Sequence, residues 1–294
     1  MPTSYEAAKA LFAESIFKAL APYKARIEPA IISSMQRFGE KTELRDACEY
    51  ALSTGGKRFR PAIVYMVADA LQSKNDVTDA ALAVEFFHTA SLIADDLPCM
   101  DNDDFRRGRP TTHKVYGEAV ALLASFALIA AGFEHIAINS KVQMDVCQIA
   151  IDKASKLNGI SGLLGGQFID LFPPELTLEK LYEVMEKKTV SLFELSFALG
   201  WLFAGGDVKL LPEVKRASFH FGSAFQIIDD LDDMEKDAQA GRKVNYALLF
   251  GKEEAVRAVK DHIEQFKDSL AVLKIQSEPL QLLASGMSIL TSAF

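Results

Sequence analysis

Cysteine is scarce. Cys48, Cys99 and Cys147 are the only three in 294 residues, widely spaced and without a CxxC pair. No disulfide framework or zinc site is indicated, and a reduced, cytoplasmic setting is the expectation. Positive charge is also short: the net charge is -8, which argues against nucleic acid as a partner, although a local basic site can hide in the average. Long apolar runs are missing. The longest, Ala119–Phe133, has 15 residues where a membrane span needs about 20, so it reads as a fully buried helix and no stable membrane insertion is expected. The first twenty residues carry Glu6 and Glu14 and lack a continuous apolar core; they read as an amphipathic helix and not as a signal peptide. There is no long Gly/Ser linker, low-complexity tract or solenoid repeat, so residues 1–294 are expected to form one domain.

Alternating strand patterns are nearly absent, and the dominant period is helical. Apolar residues recur at three- and four-residue steps in 5–20, 78–94, 142–157, 177–203 and 213–228. Breakers fall between these stretches: Pro22, Pro29, Gly55-Gly56, Pro61, Pro98, Pro110, Pro173-Pro174, Gly205-Gly206, Pro212 and Gly241. Thr78 and Thr177 are expected as N-caps. Pro98 should end the helix that carries Asp95 and Asp96. The expectation is an all-α, single-domain bundle of about a dozen helices around a deep central cavity.

Two acidic clusters stand out. In Ala90–Pro110 five aspartates (Asp95, Asp96, Asp101, Asp103, Asp104) lie within ten positions, followed by Arg106 and Arg107. Alone, this could be a solvated loop. The apolar helix Leu82–Ile93, however, delivers Asp95 and Asp96 to the rim of the core. Carboxylates packed this closely repel one another unless a cation neutralises them. The second cluster, Phe225–Asp233, ends another apolar helix, and Asp229 and Asp233 share a face at a spacing of four. Carboxylates without nearby histidine or cysteine favour Mg2+, a hard ion that substrate phosphate usually completes. Two such clusters suggest a diphosphate held between them.

The cations a diphosphate needs are present. Gly55-Gly56-Lys57-Arg58-Phe59-Arg60-Pro61 places three in a glycine-led turn ahead of a helix. Arg106-Arg107-Gly108 and Lys187-Lys188-Thr189 add donors. His88 lies two helical turns before Asp95 on the same face, where a structural role is the commoner one.

In this order, GGKRFRP, DDLPCMD with RRG, KKT and FQIIDD resemble the trans-isoprenyl diphosphate synthases (polyprenyl synthetases), over residues from about 50 to 250. DDLPCMDNDDFRRGRPTTHKVYGE is most similar to geranylgeranyl diphosphate synthases, and GLLGGQFIDL (162–171) is similar to another family stretch. The resemblance implies the isoprenoid-synthase helical bundle, a homodimer, and three Mg2+ per site. It implies metal binding by Asp95, Asp101 and Asp229, with Asp96 and Asp233 beside them. Arg106, Lys188 and Gln226 would hold the allylic diphosphate; Lys57, Arg60, His88 and Arg107 would hold isopentenyl diphosphate; Thr189 with Lys188 would face the developing carbocation.

The growing chain should run beside the helix before Asp95, past Ser91 and Ala90, both small. In this family a bulky residue five positions before the first aspartate tends to stop growth at fifteen carbons, so Ala90 implies at least twenty. Phe86 and Phe87 are candidate floor residues. The chain also departs from the family. Ala94 replaces a usual histidine and Phe126 a usual buried aspartate. The short region after Asp233 lacks a Gly-Lys element, leaving Lys236 or Lys243 as the stand-in. Farnesyl or longer-chain synthesis, or a weakly active modifying subunit, are the alternative readings.

Overall fold

The structure, a computed structural model, describes residues 5–139, 144–173, 175, 177–239, 241 and 244–294. Among these, the chain is helical almost throughout: α1 (Tyr5–Ser34), α2 (Glu43–Leu52), α3 (Phe59–Ala70), α4 (Thr78–Asp95), α5 (Thr112–Tyr116), α6 (Glu118–Ile138), α7 (Met144–Asn158), α8 (Leu163–Leu171), α9 (Leu178–Met185), α10 (Ser191–Phe203), α11 (Leu211–Asp232), α12 (Met234–Gln239), α13 (Tyr246–Phe250), α14 (Lys252–Val272) and α15 (Glu278–Thr291). The only strands among the described residues form a two-residue hairpin, β1 (Phe105–Arg106) with β2 (Arg109–Pro110).

Helices α3, α4 and α10 form the centre. Every residue of α10 is buried, as are Pro61–Ala68 of α3. Around them, α6 packs on α4, α14 on α11 and α15 on α1. A chain of edge-to-face and tilted rings ties these layers together: Phe59, Phe193, Phe221 and Phe225 meet at centroid distances of 5.2–6.2 Å.

Three local expectations are corrected. Pro22 and Pro29 do not separate helices but lie inside α1. Both are exposed and seven residues apart, so both sit on the outer face, where water can satisfy the carbonyls they free. Thr78 is the first residue of α4 and not its cap; its N–H donates to the Asp76 carboxylate at 2.9 Å. Thr177 does cap α9, accepting from the Lys180 N–H at 3.2 Å. The third concerns α6, which is not fully buried. Ala121, Ala124, Ser125 and Leu128 face inward, while Leu122, Leu123 and Phe126 are 41%, 52% and 57% exposed. A segment apolar all round carries no signal of which face is inner. By length and composition alone α6 could cross a membrane, yet here one face packs on α4.

Candidate active site

Helix α4 ends where the chain meets Pro98, leaving Asp95 as its last residue and Asp96 as its C-cap. The chain then folds back, and the Asp101 N–H donates to the Asp95 carbonyl at 2.9 Å. This turn divides the five aspartates. Asp96 is buried and accepts from Arg106 Nε at 2.9 Å; Asp103 also meets Arg106, at 3.1 Å. Asp104 pairs with Lys114 at 2.7 Å. Asp95 and Asp101 have no ion-pair partner among the described residues. Asp96 thus holds Arg106 in place and has its carboxylate occupied by that arginine.

The second cluster is divided in the same way. Asp230 is buried, accepting from Gln226 Nε2 at 2.8 Å and from the Tyr246 N–H at 2.7 Å. Asp232 is held by Tyr5 and, at 2.7 Å, by Lys9. Asp229 and Asp233 remain. The Asp233 N–H donates to the Asp229 carbonyl at 2.9 Å, so the two stay one helical turn apart on one face.

A cavity of about 200 Å³ lies over this second wall, lined by Asp229, Asp233, Lys188, Thr189, Gln226 and Asp170. Lys188 and Thr189 reach it from a π-helical turn, Glu186–Val190, inserted between α9 and α10. Such turns re-aim side chains and are frequent at functional sites. Lys187 turns away to Glu183 at 2.7 Å, Lys188 bonds Asp170, and Thr189 Oγ1 donates to Gln226 Oε1 at 2.7 Å. Gly166 makes this possible: a Cβ there would stand 2.3 Å from the Lys188 backbone nitrogen.

Like charge crowds both walls, where Asp95 is half-buried and Asp229 reaches the surface. Desolvation pushes the Asp95 carboxyl up to about 6, with Asp101 adding and Lys188 opposing. Desolvation likewise pushes Asp229 up to about 6, with Asp233 adding and Lys57 opposing. Both would be relieved by a bound cation. Among the described residues no three carboxylate, histidine or cysteine groups form a ready-made cluster. Two open oxygen walls, each short of a full ligand set, suit an ion completed by water and substrate phosphate.

A second cavity, of about 300 Å³, is lined by Gly56, Lys57, Arg60, His88, Arg107 and Phe225. Arg58 and Glu85 also line it, and of its cations Lys57, Arg60 and Arg107 have no ion-pair partner among the described residues. Arg58 is neutralised by Glu85 at 2.5 Å and Glu28 at 3.0 Å, which explains its place in the motif as a structural residue. Arg60 is different. Its guanidinium stands 4.7 Å over the Phe193 ring, its Nε is buried without a partner, and desolvation pulls it down to about 10. His88 is held well below its ordinary value by desolvation and the surrounding arginines, so it stays neutral. Desolvation also lowers Arg107, whose guanidinium donates to the Gly55 carbonyl and lies where a Gly56 side chain would be.

Of the sequence-level site residues, the structure gathers Lys57, Arg60, His88 and Arg107 into one cavity and Lys188, Thr189, Gln226, Asp229 and Asp233 into the other. Lys236 is largely exposed and reaches Asp233 at 3.8 Å. Lys243 lies outside the described residues. Phe87 and Ala90 are buried; Ser125 Oγ donates to the Ala90 carbonyl at 2.9 Å, and Phe87 packs edge-on to Phe133. Ser91 is half-buried. None of these three lines either cavity above. Two residues were missed. Asp170 anchors Lys188, and Gln167, one helical turn before Leu171, is buried with both amide atoms unpartnered. Only their place in a glycine-rich helical stretch marked them in the sequence.

An all-helical bundle with one carboxylate-lined cavity and one basic cavity is the arrangement of a protein that handles diphosphate esters. The chain belongs to the polyprenyl synthetase family, whose model matches residues 41–247. It is 37% identical to geranylgeranyl pyrophosphate synthase 7 of Arabidopsis thaliana over 79% of this chain and 72% of that one. It is 34% identical to the farnesyl diphosphate synthase of Bacillus subtilis over 89% and 93%. The crystal structure of a geranyltransferase from Legionella pneumophila superposes with a TM-score of 0.82 at 29% identity, covering 94% of this chain and 97% of that one.

Proposed function

We propose that this enzyme condenses isopentenyl diphosphate head-to-tail with dimethylallyl, geranyl and farnesyl diphosphates, releasing a twenty-carbon product. The observation that carries the reading is Arg60, its Nε buried and its guanidinium without an ion-pair partner among the described residues, in a basic cavity separate from the carboxylate-lined one.

Asp95, Asp101, Asp229 and Asp233 are the residues that would hold Mg2+, three ions per site being the family expectation. When bound, Mg2+ would supply positive charge against the departing diphosphate. Lys188 and Arg106 add fixed charge on the allylic side. Arg60, Arg107 and Lys57 bind isopentenyl diphosphate. The allylic C–O bond breaks, the double bond of isopentenyl diphosphate attacks the cation left behind, and a proton then leaves to the released diphosphate. The Thr189 hydroxyl and Gln226 carbonyl offer dipoles toward the cation. The pocket's work is to position two like-charged substrates and exclude water, which is worth several kcal/mol.

The exposed face of α6 fits a homodimer: Leu122, Leu123 and Phe126 form an apolar patch that a second copy would cover. Phe126→Asp should give a monomer on sizing with light scattering; an unchanged dimer refutes this interface, and recovery with membranes would mean lipid covers it instead.

The test of function is purified protein with Mg2+, isopentenyl diphosphate and each allylic starter. Turnover that EDTA and Asp95→Ala both abolish supports the proposal. No turnover with any starter refutes it, and turnover gained only with a catalytic partner points to a modifying subunit.

A further inference from the structure

His113 lies in α5, just after the hairpin that carries Arg106 and Arg107, and is buried. Its Nδ1 stands 3.1 Å from the hydroxyl oxygen of Thr111, which is buried too. That hydroxyl has one proton, and it donates to the Asp103 carbonyl at 2.8 Å. The oxygen therefore accepts from the ring, so Nδ1 carries a hydrogen. Nε2 is buried without a hydrogen-bond partner among the described residues, which confines the ring's polar role to Nδ1.

The hairpin needs a tie of this kind. β1 and β2 pair over only two residues each, and so short a hairpin is marginal on its own. Its turn, Arg107-Gly108, has φ of 54° and 76°, a conformation uncommon outside glycine. At the open end Thr111 closes the hairpin twice. Its N–H donates to the Asp104 carbonyl at 3.0 Å and its hydroxyl to that of Asp103. The Asp103 carboxylate meets Arg106 at 3.1 Å, the same arginine that Asp96 holds. Arg107 is anchored elsewhere, on the Gly55 carbonyl. One chain of contacts thus runs from His113 through Thr111 and Asp103 to Arg106 and bypasses Arg107.

We propose that His113 is a positioning residue: its Nδ1–H orients the Thr111 hydroxyl, which holds Asp103 where its carboxylate aims Arg106 at the allylic diphosphate, an inference that rests on the allylic role of Arg106 in the proposed reaction. Without that donor the hydroxyl is free to turn, and Asp103 and Arg106 lose their register. Arg107 and isopentenyl diphosphate are untouched.

The test compares two amides in the full chain. An asparagine places its N–H where Nδ1 stands, a glutamine where Nε2 stands. Affinity for a farnesyl thiodiphosphate, which resists ionisation, is read by calorimetry with Mg2+. It should fall about tenfold in His113→Gln, the worth of one charge-assisted contact, and stay within about twofold of wild type in His113→Asn. In turnover, KM for the allylic substrate should follow the same pattern while KM for isopentenyl diphosphate stays unchanged. Thr111→Val should match His113→Gln, and Thr111→Ser should match wild type. In an Arg106→Gln background His113→Gln should add no further loss, because both act on one chain of contacts. Equal behaviour of the two amides overturns the proposal. So does a joint rise of both KM values, which would mean that the hairpin had merely loosened, and so does a loss that persists without Arg106. If either His113 variant fails to fold, the Thr111 pair decides in the same way. Binding weakened in His113→Gln and kept in His113→Asn, with no turnover by any chain, upholds the positioning and refutes the reaction; normal turnover by every variant does the reverse.

Discussion

Replacing Arg60 with methionine should stabilise the protein while disabling it. The guanidinium lies over Phe193, with Nε buried and unpartnered, and is pulled down to about 10 from 12.5. A shift of about 2.5 units corresponds to roughly 3 kcal/mol of penalty on the charged state. Loss of the cation–π contact returns about 1 kcal/mol of that. Methionine fills similar volume without a charge, so the net gain is about 2 kcal/mol, by the same logic that makes apolar replacements of buried ions stabilising. For a chain of this size that raises Tm by roughly 2–4 °C. Differential scanning fluorimetry without ligand reads the gain. Steady-state kinetics should show KM for isopentenyl diphosphate rising about a hundredfold, the loss expected for a buried charge-assisted contact, with KM for the allylic substrate changed less than threefold. The mechanism assigned to Arg60 is refuted if the variant is less stable than wild type, or if both KM values move together.

Asp95 and Asp229, both raised to about 6, bind protons in the fold that the unfolded chain has released above pH 4. Their effect is therefore that stability falls as pH rises from 4 to 6. Asp95→Asn should raise metal-free stability at pH 7 by about 2 kcal/mol and reduce kcat at least a thousandfold; a variant less stable than wild type counts against this. His262, pushed down to about 4 by desolvation and by His220 at 2.9 Å, works oppositely. The unfolded chain takes up its proton from pH 6.5 downward while the fold resists to about 4. His262→Gln should thus remove about 3 kcal/mol of acid-linked loss between those values, read as the difference between the two denaturation-against-pH curves; parallel curves would disprove it. Ala90→Tyr should shift product from twenty to fifteen carbons, with overpacking lowering stability by about 1–3 kcal/mol. An unchanged product distribution would mean the chain does not pass Ala90.

Much of the fold was legible because helical periodicity is a local property. The all-α class, the end of α4 before Pro98 and the cap at Thr177 depend on residues within a turn or two. Misreadings came where a distant surface decides. Pro22 and Pro29 are tolerated because their face of α1 meets water. Thr78 yields its expected role to Asp76, and α6 leaves an apolar face open because its neighbours cover only one side.

The site divides along the same line. Residue types and order alone raised the expectation that two aspartate clusters and three basic segments serve anionic substrates, since such charges need counter-ions wherever they meet. Only the tertiary structure decided which charges are free. Asp96, Asp103, Asp104, Asp230 and Asp232 are satisfied by partners up to 227 residues away, and Arg58 by Glu85 and Glu28. Asp229, Asp233 and Arg60 line cavities, and Asp95 and Asp101 are left without an ion-pair partner among the described residues. Ion pairing depends on distance in space, which a linear pattern of charges does not encode.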